Sequence, residues 1–419
     1  MLPSLLWWAR CLGAPLLLLA SSALAVYALT ALGRLVAHLA HMRAATRDIP
    51  GPRVEHIVRL IRARRSPRLI SDLFHDVARE FTTIFKFWTG PTLNVILLRA
   101  DDIECVMTDK RVTRKSKAYD FLGSLMGEGL LHLSGEPWRR RRRIVEPCFR
   151  PEVLRGFPAV FHDRALVLVE HLRPAALSGE VVDVGPLLGQ AVTDMVCHTV
   201  MAADVDTRAM EQEGLSRALG NGFAIILYRV FNPWFMSDSL FRLSAFYKYY
   251  KQYMNLFDDF TMRLLAAKRR ERQRLPAHTL TDKPTLGVPR RRSAFLDVML
   301  DTTEAAPLSD AELMDEAKTL ITAATGGSTD AVGFVLLCIA LRQDVQDRIV
   351  QELSDVFGED VHRVATVDDL RHLDYLERVI KETLRMFPSI PQFGRSISQD
   401  MTLPSGYTVR TGRQLWSSP

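Results

Sequence analysis

The chain has 419 residues, 54 basic against 48 acidic side chains, a formal charge of +6, and 47% hydrophobic and 24% charged residues. That profile excludes a disordered chain, a collagen-like chain and a small disulfide scaffold. So small a charge, interspersed with acids, does not imply a nucleic-acid partner and suits a membrane surface or an acidic protein.

The five cysteines, Cys11, Cys105, Cys148, Cys197 and Cys338, are scattered without Cys-x-x-Cys spacing. This argues against a disulfide framework or zinc site and for a reducing, cytosol-facing location. Residues Cys11 to Gly33 form 23 consecutive positions without a charged side chain. As a helix they are long enough for a hydrocarbon core of about 30 Å. Trp7 and Trp8 precede this run, and Arg34, Arg43 and Arg47 follow it. Aromatics at one interface and basic residues on the C-terminal side place the body in the cytosol. A cleavable signal peptide is the alternative, because the stretch ASSALA offers small residues, but the apolar run is longer than the usual h-region. The expected organisation is a membrane anchor over 1–33, a basic linker with a Pro-rich hinge over 34–66, and a globular domain over 67–419. Within the linker, Asp48-Ile-Pro-Gly-Pro52 excludes helix and reads as a hinge.

In the body, Leu69, Leu73, Val77 and Phe81 recur at helical spacing, and Thr83–Trp88 and Thr92–Leu98 read as two strands around Gly90-Pro91. Ala100–Asp109 reads as a short helix and Arg111–Leu131 as a Gly-dotted loop. Helices are expected near 137–147, 151–172, 186–203, 208–228, 238–273 and 294–302, with an exposed connection over Leu275–Arg292. Ser309-Asp-Ala-Glu312 is a capping box ahead of a long apolar helix reaching about Leu341. An amphipathic helix stopping at Gly358 follows. A last helix spans about Asp368–Phe387, with short strands after it. The fold class is mainly α with small β-sheets.

Three places could carry chemistry. The long helix holds Thr325-Gly326-Gly327-Ser328-Thr329-Asp330 in an otherwise apolar stretch. Each glycine costs about 1 kcal/mol relative to alanine in a helix, so the pair suggests that a ligand needs the room. A buried core helix and a cofactor wall both remain open. A second transmembrane span is the further alternative, made costly by about 3 kcal/mol through Asp330. In the last helix Glu382 and Arg385 share a face as i, i+3 neighbours, and the surrounding Leu376, Val379, Ile380, Thr383 and Leu384 predict that this face is covered. In Gly135-Glu-Pro-Trp138-Arg139-Arg140-Arg141-Arg142-Arg143, Trp138 and Arg142 are i, i+4 and present an indole N–H and a guanidinium to one side, which suits a carboxylate or phosphate pair. Arg139, Arg140 and Arg141 read as a solvated basic face.

Taken together, these segments resemble a microsomal cytochrome P-450, a haem-thiolate monooxygenase, of the family 4 type. The likeness runs from anchor and hinge through GEGLLHLSGEPWRRRRRIVEPCF (Gly127–Phe149) to LDYLERVIKETLRMFPSIP and Gly394-Arg395. It implies the cytochrome P-450 fold with haem b as cofactor. It implies that Trp138 and Arg142 of the Trp-x-x-x-Arg motif bind a haem propionate, as does Arg395, that Glu382 and Arg385 of the Glu-x-x-Arg motif form a buried structural pair, and that Gly326 lies at the haem. The catalytic alcohol is then Thr329, with Ser328 where the family has an acid. Thr325 stands where covalently linked members carry a glutamate, so no covalent haem link is implied.

The family's haem-ligating cysteine lies in a Phe-x-x-Gly-x-Arg-x-Cys-x-Gly loop, and no cysteine follows Cys338. An axial thiolate promotes O–O cleavage, so no metal-ligating residue is assigned. The pattern is lost after Gly406-Tyr-Thr-Val409. The chain therefore reads as a P-450 incomplete at its C-terminus, through alternative splicing, a frame change or a partial gene model. The resemblance implies hydroxylation of an apolar substrate, a fatty acid, lipid or xenobiotic, with dioxygen and NADPH-derived electrons, the chain as given being inactive. Implied partners are NADPH-cytochrome reductase, cytochrome b5 and membrane lipid, with no nucleic acid, at the endoplasmic reticulum membrane. The second reading is a non-catalytic, membrane-anchored helical protein that binds lipid or partner proteins.

Overall fold

The computed structural model describes residues 48–52, 76–89, 92–202, 214–274, 295–301 and 308–417, except 359 and 361, with residue 72 and scattered positions between 22 and 40. The connection over 275–292, most of the linker and most of the expected anchor lie outside these residues. The described positions between 22 and 40 are helical and exposed.

A β-hairpin forms where alternating β-branched and aromatic residues flank Gly90-Pro91. Strands β1 (Ile84–Thr89) and β2 (Thr92–Leu97) pair antiparallel from Ile84 with Leu97 to Thr89 with Thr92. The hinge lies along this hairpin: Lys86 donates its backbone N–H to Pro50 O at 2.8 Å, and Ile49 is buried beneath the sheet. Near the other end of the chain come β3 (Phe393–Ser396), β4 (Met401–Thr402), β5 (Thr408–Val409) and β6 (Gln414–Ser417). Strand β6 pairs parallel with β2 and antiparallel with β3, giving the sheet order β1-β2-β6-β3.

The short strands expected after the last helix are formed. Leu415 is buried in the core beneath the sheet, and Trp416 donates its indole N–H to Asn94 Oδ1 at 2.9 Å. Short strands of mixed polarity carry a weak sequence signal, and only the partner strands fix them.

The helices are α1 (Ala100–Thr108), α2 (Tyr119–Met126), α3 (Gly135–Val145), α4 (Pro151–Leu154), α5 (Phe157–Ser178), α6 (Val184–His198), α7 (Leu215–Val230), α8 (Asp238–Arg242), α9 (Ala245–Arg274), α10 (Phe295–Asp301), α11 (Asp310–Ala340), α12 (Gln343–Phe357), α13 (Val367–Leu370) and α14 (Asp374–Met386). Most match the expected spans. Three of those spans are each split in two, giving α4 and α5, α8 and α9, and α13 and α14. Helix α2 forms inside the stretch read as a loop, because tertiary packing of Leu125 and Met126 against Ile226, Phe241 and Tyr250 outweighs the local penalty of Gly123.

The capping box is formed as expected. Ser309 Oγ accepts from Glu312 N at 3.2 Å, and Ser309 N donates to Glu312 Oε2 at 2.8 Å. Helix α11 is long and apolar enough to cross a membrane by length and composition, yet its first half runs inside the protein. Leu313, Ala317 and Ile321 pack with Phe257, Phe260 and Leu296 in the main core. Each large apolar side chain so buried contributes about 1.5–3 kcal/mol. Beyond Thr325 the helix exposes Val332, Leu336 and Leu337.

Candidate functional site

Helix α11 remains unbroken through its glycine pair. Thr325 is buried and folds its hydroxyl back onto Ile321 O at 2.7 Å, adding a bond to the helix's own ladder. Gly326 faces open space, with nothing within 4 Å of where a Cβ would stand. At 3.6 residues per turn, Thr329 lies about 60° and Asp330 about 40° around the helix from Gly326, whereas Ser328 lies about 200° away. The structure therefore groups Gly326, Thr329 and Asp330 and leaves Ser328 apart. Loss of water around Asp330 raises its carboxyl above the usual range.

Opposite the first half of α11, helix α2 rests on α7. Tyr250 Oη donates to Ser124 Oγ at 2.5 Å. The buried Arg229 guanidinium stands 4.9 Å from the Phe121 ring and 4.4 Å from the Phe241 ring, with Nε donating to Phe235 O at 2.6 Å. Leu125, Met126, Phe223 and Ile226 make this an apolar wall.

Helix α3 begins at Gly135, whose φ is +65°, and Pro137 follows in its first turn. Arg142 stacks over Trp138 at 5.2 Å, so the expected i, i+4 pair is formed. Among the described residues neither Arg142 nor Arg395 has a carboxylate partner, although each cation lies against an aromatic ring. Arg395 on β3 forms an antiparallel bridge with Lys115. The Lys115 backbone N–H donates to Ser134 Oγ at 3.1 Å, and Ser134 is the residue immediately before α3. Lys115 thus joins the strand of Arg395 to the helix of Trp138 and Arg142. Its Nζ donates to Leu130 O at 2.7 Å and to Leu131 O, and burial together with the neighbouring Arg395 lowers the amine to about 8. Sequence reasoning missed Lys115, because a lysine among polar neighbours carries no local sign of burial.

Arg141 overturns the reading of a solvated basic run. Arg139 and Arg143 do pair with Glu136 at the surface. Arg141, however, is buried and reaches α11, with Nη2 2.8 Å from Glu312 Oε1 and Nη1 3.1 Å from Glu316 Oε1. At 100° per residue a run of five arginines cannot keep one face, so one of them meets whatever packs on the helix. Glu316 is fully buried and neither of its oxygens has a well-formed side-chain hydrogen bond. Burial pushes its carboxyl up to about 7, against the opposing pull of Arg141. A signal for it existed: Glu316 stands between Leu313 and Leu320 on the apolar face of the helical repeat.

Glu382 and Arg385 form their bidentate pair at 2.8 and 2.7 Å, but both side chains are exposed, at 55% and 69%. The covered face expected for them is corrected. Ile380 and Met386 nearby are exposed as well, whereas Thr383 on the same helix is buried and Phe387 stacks on Phe334 of α11 at 5.2 Å. Such an exposed pair contributes little to stability.

A porphyrin would bring two carboxylates and an iron. Its carboxylates fit the cations at Arg142 and Arg395, which lack a carboxylate partner among the described residues, whereas the Lys115 amine is already bonded to the Leu130 and Leu131 carbonyls. The iron is less well served by the described thiols. Burial raises Cys148 to about 11 and Cys197 to about 12, which suits core packing and not thiolate ligation. Cys338 lies about 18 Å along α11 from Gly326 at 1.5 Å per residue, and Cys105 belongs to α1, beside the sheet.

The protein-family model described as Cytochrome P450 matches residues 49–418. The chain is 29% identical over 362 residues to Cytochrome P450 4d2 of Drosophila melanogaster, covering 85% of this chain and 72% of that protein. It is 31% identical over 340 residues to Cytochrome P450 4V2 of Pongo abelii and 30% identical over 333 residues to Cytochrome P450 4V2 of Homo sapiens, in both cases covering 79% of this chain and 63% of the relative. The chain thus spans less than two thirds of the length of the two primate relatives.

Proposed function

Because the chain belongs to the cytochrome P450 family, we propose that it is of haem-thiolate monooxygenase lineage, built to hydroxylate an apolar substrate with dioxygen and NADPH-derived electrons. The observation that carries this reading is the junction at Lys115, which ties Arg395 to the residue that opens the helix of Trp138 and Arg142, two arginines that meet no carboxylate at bonding distance among the described residues. Haem b is the group whose paired carboxylates suit them, and when bound it supplies oxygen activation. Trp138, Arg142 and Arg395 hold those carboxylates. Gly326 leaves room beside α11, and the Thr329 hydroxyl is the proton-handling group. With Ser328 turned away from Gly326, the usual acid position contributes little to that task.

The wall of α2 and α7 supports an apolar substrate, of the fatty-acid, lipid or xenobiotic class. The uncharged run over 11–33 supports membrane anchorage, in the endoplasmic reticulum with the body in the cytosol. A NADPH-cytochrome reductase, with cytochrome b5, would supply the electrons. The second reading, a non-catalytic chain that binds lipid or partner proteins, is favoured by one observation: no described cysteine suits an axial thiolate. An absorbance spectrum of the purified, reduced and CO-treated chain tests the two. A thiolate-ligated haem band supports catalysis by these residues. Haem binding without that band supports the second reading, and no haem binding at all refutes the cofactor assignment.

A further inference from the structure

The buried contact between α3 and α11 has a polar centre whose purpose the functional reading does not use. Glu316 faces Arg141 from α3, Lys115 from the segment before α2, and the Leu130 backbone N–H from the loop before α3. On its own helix Glu312 and Asp315 lie one turn or less away, Glu312 sharing Arg141 and Asp315 adding a like charge that favours the protonated form of Glu316. Behind Lys115 stands Arg395, and Glu128 and Lys318 act on Asp315.

A fully buried carboxyl with two poorly bonded oxygens is a weak place for a negative charge. Arg141 sits one position before Arg142, so the depth at which it docks fixes the roll of α3. That roll decides where Trp138 and Arg142 point.

We propose that Glu316 is a positioning residue for Trp138 and Arg142: acting through Arg141 it holds α3 against α11 when protonated, and the docking loosens as it gives up its proton. The carboxyl has an ordinary value near 4.5 when exposed and about 7 when docked. Undocking therefore releases a proton over that interval and becomes easier as pH rises. The consequence for cofactor grip rests on the functional reading above, whereas the docking itself does not.

Hydrogen–deuterium exchange of the full chain in detergent, followed in peptides covering Gly135–Val145 and corrected for intrinsic rates, measures the opening of α3. The opening constant is expected to rise up to about 300-fold between pH 4.5 and pH 8 in the wild type, the limit set by that interval. Glu316→Gln should be flat and match the wild type at low pH, whereas Glu312→Gln should keep the rise. An equal rise in Glu316→Gln, or a flat wild type, overturns the proposal. Should Glu316→Gln not fold, Arg141→Lys retains a charge but loses the fork, and the transition should move to higher pH; an unmoved transition is likewise contrary.

Hemin titration at pH 6 and pH 8.5 separates the two claims. Hemin that fails to bind at either pH defeats the functional reading and leaves the exchange result standing. Weaker binding at the higher pH in the wild type, but not in Glu316→Gln, supports the link to grip. The same pH dependence in both proteins removes that link.

Discussion

Replacing Gly127 by alanine tests whether the loop before α3 is held against α11 by backbone contact. Gly127 has φ +75° and ψ 167°, a region that side chains rarely adopt, and an added Cβ would lie 2.5 Å from Asp315 Cα and 2.8 Å from Asp315 O. The obstacle is backbone within a packed helix and cannot swing aside. Strain at such a φ costs about 1–3 kcal/mol, and overpacking adds about 1–3 kcal/mol more. The expected loss is therefore about 2–6 kcal/mol. It should come with weakening of the buried bond from Thr319 Oγ1 to Met126 O, now 2.8 Å, because that bond crosses the same contact. Gly135→Ala is the control, since its φ is +65° but nothing lies within 4 Å of the new methyl, leaving strain alone. Urea unfolding followed by circular dichroism, with hydrogen exchange over residues 119–133, measures both variants. Equal losses for Gly127→Ala and Gly135→Ala, or a Gly127→Ala loss below about 1 kcal/mol, would refute the close approach.

Four further outcomes are expected. Since Glu316 is raised from 4.5 to about 7, the native state holds a proton that the unfolded chain has released between those values; stability falls by about 3 kcal/mol as pH rises through the interval, and pH-dependent urea midpoints should lose that slope in Glu316→Gln. Lys115, lowered from 10.5 to about 8, acts in a separate window: stability rises with pH between about 8 and 10.5. Arg229→Met leaves Phe235 O without its donor and removes the stacking on Phe121 and Phe241, so a loss of about 2 kcal/mol or more is expected. Faster exchange of residues 119–126 should accompany it, and unchanged exchange there would contradict the role given to Arg229. Arg142→Gln removes an exposed cation that makes no ion pair among the described residues, so hemin affinity should fall at least about tenfold, as expected for a lost charge-assisted bond, while the urea midpoint stays in place. Unchanged hemin affinity would count against Arg142 as a carboxylate ligand.

The sequence by itself determined the helical class, the β1–β2 hairpin, the Ser309–Glu312 cap and the Trp138–Arg142 pair. Each rests on spacing within one segment, and 3.6-residue and two-residue periodicities are local properties of the chain. The ordered set of motifs also made the family legible before any contact was known. Tertiary structure alone decided which arginine of the run over 139–143 turns inward, because that depends on where α11 crosses α3. It likewise decided that Glu316 is sealed from water, that Lys115 joins β3 to α3, and that Gln414–Ser417 closes the sheet. The Glu382–Arg385 pair shows the same limit from the other side: its geometry was readable at i, i+3, but its exposure was not. Burial is a property of what lies across the gap, and the residues that create or relieve it can stand hundreds of positions away.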